Sequence, residues 1–204
     1  MEKIVRKFFG TSNDYNKFCN SPIEENMILL EAGQGKNING NMFAILRELN
    51  TNEKWKHMEP VFVVTDANEE KAKSRFEFYN LNARTVVRNT KEYCRILAVA
   101  KYLITDNSFP PYFYKREGQV YMNTWHGTPL KTLGKSDIKN ALSLANIQKN
   151  YLMSDYALFP NTFTRDVFMK DYMLENLYTG KVVLCDYPRN SIFLEQDFAK
   201  NLRK

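Results

Sequence analysis

The sequence predicts an α/β fold, a parallel Rossmann-like sheet with helices on both faces. Three observations predict it. Seven short runs rich in Val, Ile, Leu and Tyr punctuate the chain. Segments of helical character fall between most of them. Several of the runs are apolar throughout, as strands covered on both faces must be. Regular alternation of strand and helix implies βαβ units, a parallel sheet and right-handed crossovers.

Taken in order, residues 1–20 are polar and aromatic without a clear period, and residues 1–26 are expected to form an arm or linker. Strands are expected at Met27–Glu31, Val61–Thr65, Arg84–Arg88, Tyr102–Thr105, Val120–Thr124, Tyr156–Phe159 and Lys181–Cys185. The segment Gly40–Leu49 sets Met42, Phe43, Ile45, Leu46 and Leu49 on one helical face. Helices are also expected over Asn68–Asn80 and Thr90–Ala100. The longest, Asp137–Met153, has Ile138, Leu142, Ala145 and Leu152 near helical spacing. Between the fourth and fifth strands stands Pro110-Pro111, through which no helix can run. Residues 27–190 thus read as one Rossmann-like domain, and 191–204 as the start of a connection to a second domain.

Composition bounds the function. The chain has 204 residues, one large domain or somewhat more at about 150 residues per domain. A hydrophobic fraction of 44% with 25% charged residues excludes a disordered or low-complexity architecture. The three cysteines, Cys19, Cys94 and Cys185, are odd in number and lie far apart, which suits a reducing compartment. The first ten residues lack the apolar stretch of a secretory signal, and no uncharged apolar run approaches the ~18 residues that span a bilayer. The expectation is a soluble protein, or one that at most lies on a membrane surface. A net charge of +6 suits anionic partners, an anionic membrane surface among them, although an ordinary basic surface has the same charge. No nucleic-acid-binding module is recognisable, and nucleic acid is not an expected partner.

In an open parallel sheet, ligands gather outside the carboxyl ends of the strands. Glu31, Asp66, Asp106, His126 and Asp186 each end or follow an expected strand, which marks that rim as a working edge. Gly33, Gly35 and Gly40 lie between the first strand and the next helix, where a phosphate loop would be. Ile38 breaks the dinucleotide fingerprint, and Asn41 and Met42 replace the Lys and Ser/Thr of a P-loop. Two readings of that loop stand: free amides that hold an anion, or ordinary turn glycines.

Of the 2 histidines, His57 lies in a charged connector and reads as solvated surface. His126 follows a strand, with Gly127 beside it and Pro129 stiffening the turn. An imidazole there can take a proton from a hydroxyl, or can merely bond a backbone carbonyl. Two histidines cannot build a His-rich metal site, and no metal is expected. Lys131, Lys135 and Lys139 recur every fourth residue, to receive phosphate or headgroups or simply to face solvent. Arg189 follows the last strand, placed for a phosphate or for an ion pair.

The stretch from Tyr121 to Gly134, with Trp125-His126-Gly127-Thr128-Pro129 inside it, resembles the signature of the CDP-glycerol glycerophosphotransferase family, the teichoic acid primases and polymerases. Ile28–Asn41, Ile104–Pro110 and Tyr187–Asn190 resemble further family segments in the same order. The resemblance runs from residue 27 onward. It implies the N-terminal, acceptor-side domain of a GT-B fold, with the C-terminal GT-B domain that would hold the nucleotide missing. The implied activity is transfer of glycerol phosphate, or another polyol phosphate, from CDP-glycerol or a related CDP-polyol to a lipid-linked or polymeric glycerol-phosphate acceptor. The family works on the cytoplasmic, inner face of the bacterial membrane without spanning it, so the resemblance implies a cytoplasmic, peripheral location, and no cofactor is implied. Carried over, His126 is the general base, and the expected substrate contacts are Glu31, Gly35, Asp106, Asn107, Trp125, Gly127, Thr128, Lys131 and Arg189. The sequence departs from the family pattern at Gln34, where His is frequent, at Asp186 in place of Gly and at Ser191 in place of Asp. The competing expectation is a non-catalytic module that binds an anionic membrane surface or polymer.

Overall fold

The computed structural model describes residues 2–137 and 141–194, with side chains described for 10–137 and 144–194. Seven strands form one sheet in which every neighbouring pair is parallel: β1 (Glu24–Glu31), β2 (Glu59–Val64), β3 (Arg84–Val87), β4 (Ala100–Thr105), β5 (Val120–Asn123), β6 (Tyr156–Phe159) and β7 (Lys181–Leu184). Their order across the sheet is β3-β2-β1-β4-β5-β6-β7. The helices are α1 (Glu2–Phe18), α2 (Gly40–Thr51), α3 (Glu69–Phe78), α4 (Lys91–Val99), α5 (Ala141–Met153) and α6 (Thr162–Asp171). The expected fold class, α/β and Rossmann-like, is the observed one.

Alternation along β1 shows why both faces need a cover. Leu29 joins a core with Tyr15 of α1, Tyr93 and Leu97 of α4, and Leu103 of β4. Ile28 and Leu30 join the opposite core with Met42 and Leu46 of α2 and Phe76 of α3. A third cluster gathers Trp125, Tyr151, Phe159, Phe168 and Tyr172 beneath α5 and α6. As Pro110-Pro111 requires, no helix intervenes between β4 and β5. Instead Phe109 and Phe113 of that crossover, both fully buried, cover the face shared with α1 and α4.

The first segment differs from the expected arm. Residues 2–18 are helical, and Tyr15, 1% exposed, packs its ring against Tyr112 and Phe113 while its hydroxyl donates to the Tyr114 carbonyl. Burying that aromatic ring is what fixes the segment to the body of the domain. Strand β1 correspondingly starts at Glu24, ahead of the expected boundary. α6 was not anticipated from the sequence; Asn161 caps it by accepting from the Thr164 amide at 2.8 Å. Of the expected helix Asp137–Met153, residues 138–140 lie outside the described residues, as does Lys139 of the lysine series. The expected connection 191–204 is described only to Leu194, the end of a 3-10 stretch from Pro188.

Candidate active site

The strand order reverses direction between β1 and β4, the position at which open α/β sheets bind ligands beyond the strand ends. There the loop after β1 and the loop after β4 are tied together. The Gly33 amide donates to Asp106 Oδ1 at 2.7 Å, and Thr105 Oγ1 donates to the Glu31 carbonyl at 2.9 Å. Asp106 is 7% exposed. Burial pushes its carboxyl above the ordinary range, opposed by the Gly33 amide, His126 and Arg189.

Beyond β5 the chain enters Trp125 at φ +51°, a left-handed conformation that costs a bulky residue energy and needs holding. Its amide donates to Asn123 Oδ1 at 2.9 Å. Its carbonyl accepts from Asn41 Nδ2 at 2.9 Å and from Thr124 Oγ1 at 3.0 Å. The indole is buried against Phe168 and lies 3.9 Å, centroid to centroid, from the imidazole of His126. His126 is exposed. Its Nδ1 lies 2.7 Å from the Asp106 carbonyl oxygen. A carbonyl can only accept, so Nδ1 carries the proton and Nε2 keeps a free lone pair in the neutral ring. Of the two readings of this histidine, the geometry shows the bond to a backbone carbonyl, and that bond orients the ring.

Arg189 closes the arrangement. Its Nη1 donates to the His126 carbonyl at 2.9 Å, and its amide donates to Asn41 Oδ1 at 3.4 Å. Its guanidinium lies over the Tyr187 ring at 4.8 Å. The side chain remains exposed, with donors left for an anion.

The remaining expected contacts divide by placement. Gly127 has open space where a Cβ would be, and Thr128 and Lys131 are exposed beside it. Asn107 caps the turn after β4, its Oδ1 accepting from the Ser108 amide at 2.9 Å, and its carbonyl accepts from Asn123 Nδ2 at 2.6 Å. Glu31 is placed otherwise than expected. It is 0% exposed, and its oxygens accept from Arg88 Nε at 3.1 Å and the Tyr93 hydroxyl at 2.6 Å, so it braces the sheet edge rather than facing a substrate. Burial raises its carboxyl above the usual range, against the pull of Arg88. Gly35 is placed by packing too. At φ +79° a Cβ would stand 3.0 Å from the Val64 backbone carbon, and its carbonyl accepts from the Thr65 amide at 2.8 Å. Asp66 and Asp186 are exposed strand-end residues. Asn41 and Asn123, which hold the histidine loop, were not anticipated. Their partners lie across loops, where local spacing carries no signal. Among the described residues no group of three His, Cys, Asp or Glu side chains could hold a metal ion, and no helix is long and apolar enough to cross a membrane.

The carboxyl rim of this Rossmann-like sheet thus holds a histidine oriented by a backbone carbonyl, an exposed arginine and an open glycine loop. The sequence profile of the CDP-glycerol:poly(glycerophosphate) glycerophosphotransferases matches residues 15–204, and the chain belongs to that family. It is 24% identical over 191 residues to a teichoic acid poly(glycerol phosphate) polymerase of Bacillus spizizenii, covering 90% of this chain and 46% of that protein. It is 28% identical over 121 residues to a teichoic acid glycerol-phosphate transferase of Staphylococcus aureus, covering 55% of this chain and 30% of that one. A structure of the wall teichoic acid polymerase TagF superimposes with a TM-score of 0.75 at 19% identity, over 99% of this chain and 51% of that one. The chain thus spans about half or less of the length of these relatives.

Proposed function

We propose that this domain supplies the acceptor side of a polyol-phosphate transferase, with His126 as general base. The acceptor is the terminal hydroxyl of a lipid-linked or polymeric glycerol phosphate, and the donor is CDP-glycerol or a related CDP-polyol. A second α/β domain holds the donor, and without it the domain is inactive. His126 Nε2 takes the hydroxyl proton as the oxygen attacks the donor phosphorus attached to the polyol. The bond from that phosphorus to the bridging oxygen breaks, and CMP leaves with the electron pair. The Asp106 carboxyl, beside the imidazole, favours the imidazolium that forms. Arg189 offsets phosphate charge near the attacking oxygen.

The observation that carries this reading is the hydrogen bond from His126 Nδ1 to the Asp106 carbonyl, which leaves Nε2 free on an exposed loop. The family and the match to TagF support the substrate class. The test is CMP release from CDP-glycerol by this domain joined to the donor-binding domain of a relative. Release is expected only with a glycerol-phosphate-terminated acceptor present. Equal release without acceptor, or none with it, would overturn the assignment of this domain to the acceptor side.

A further inference from the structure

One buried side chain links the histidine loop after β5 to the Arg189 backbone after β7. Asn41, in the first turn of α2, is 1% exposed. Its Nδ2 donates to the Trp125 carbonyl at 2.9 Å and to Thr124 Oγ1 at 3.1 Å, and its Oδ1 accepts from the Arg189 amide at 3.4 Å. The Trp125 carbonyl belongs to the peptide that enters His126, and Arg189 holds the His126 carbonyl on the far side. The amide therefore grips the histidine from both ends, through residues 83 to 148 positions away in the chain.

We propose that Asn41 is a positioning residue that keeps Trp125 left-handed and thereby holds His126 in its Nδ1–H form with Nε2 free. An unfavourable backbone conformation persists only where the surroundings over-determine it. Without Asn41, the Trp125 carbonyl keeps, among the described residues, the adjacent Thr124 hydroxyl, a short-range contact that moves with the loop. Trp125 then relaxes toward negative φ, the next peptide turns, and the imidazole swings off the Asp106 carbonyl. Packing alone would not need an amide here. The site uses both N–H groups and the oxygen of the side chain, a specification no apolar residue of equal size meets. This inference rests on the proposed role of His126, and the experiment separates the two.

The chain contains 2 histidines, so His57, exposed in the connector between α2 and β2, serves as internal reference. Long-range proton–nitrogen NMR of the imidazoles, at a pH where both rings are neutral, reads the tautomer of each. In the unaltered chain His126 is expected as the Nδ1–H tautomer; finding Nε2–H would refute the role proposed for His126 in itself. In Asn41→Ala the His126 signal is expected to change from mostly Nδ1–H to mostly Nε2–H, while His57 does not move. Asn41→Asp keeps the volume and an acceptor for Arg189 but sets an oxygen against the Trp125 carbonyl, and it is expected to shift the tautomer likewise. A folded Asn41→Asp chain that retains the Nδ1–H signal would overturn the inference. So would an Asn41→Asp chain that no longer folds, since that residue would then be needed for the fold rather than for the histidine.

Discussion

Trp125 and His126 illustrate how much of the chemistry is decided by single residues. Trp125 contributes its ring to the third core cluster while its backbone stands left-handed at φ +51° just before His126. Asp106 contributes a carbonyl to the imidazole and a carboxyl to the field around it. The carboxyl is costly to the fold. Because burial raises its pKa, the folded chain binds more protons than the unfolded one between the ordinary aspartate value and the raised one. Stability from this group therefore falls as pH rises through that window. Asp106→Asn, which can still accept from the Gly33 amide, is expected to be more stable than the unaltered chain at neutral pH. The difference should vanish as the pH falls below the titration of Asp106. Denaturant unfolding across pH checks this; an Asn variant less stable at neutral pH would contradict it. At this scale the sequence revealed the exposed or strand-end residues that stand in recognisable motifs, His126, Asp106 and Arg189. It did not reveal Asn41 or Asn123, because a buried amide acquires its meaning from partners that only the fold brings near. It also could not distinguish Glu31 from its rim neighbours, since strand-end position says nothing about which side a carboxylate faces.

Among the elements, three converge on the Glu31 carboxylate. It ends β1, Arg88 follows β3 and Tyr93 opens α4, and the ion pair has side-chain exposures of 0% and 16%. Two charges so enclosed add little net stability as a pair, but removing one leaves the other buried and uncompensated. Glu31→Leu is expected to cost about 3–5 kcal/mol, read by denaturant unfolding. A loss within about 0.5 kcal/mol, the range of an ordinary surface substitution, would show that the pair does not brace the edge. All seven strands were legible because their short runs of Val, Ile, Leu and Tyr stand out between turn and helical segments, the edge strands β3 and β7 included although they are less covered. α1 was not. Ile4, Phe8, Thr11, Tyr15 and Phe18 recur at intervals of three, four and seven, yet the polar residues between them and the aromatic content obscure the period. α6 was missed for a related reason: of its ten residues only Thr164 and Phe168 are buried, too narrow a stripe to read.

At the scale of the whole domain, the strand order converts local order into a site. A sheet that reverses at β1 and β4 must leave a crevice above them, and the loops after β1, β4, β5 and β7 all meet there. The crossover from β4 to β5 has no helix, so the Asp106–Ser108 turn leaves the sheet free to meet the histidine loop. The central claim is that His126 Nε2 accepts the proton of the attacking hydroxyl. Its most direct measurement is the rate of acceptor-dependent CMP release by His126→Ala relative to the unaltered domain, each joined to the same donor-binding domain. A fall of about 100-fold to 10,000-fold, the range of a lost general base, is the expected result. A variant that turns over at the unaltered rate would contradict the claim.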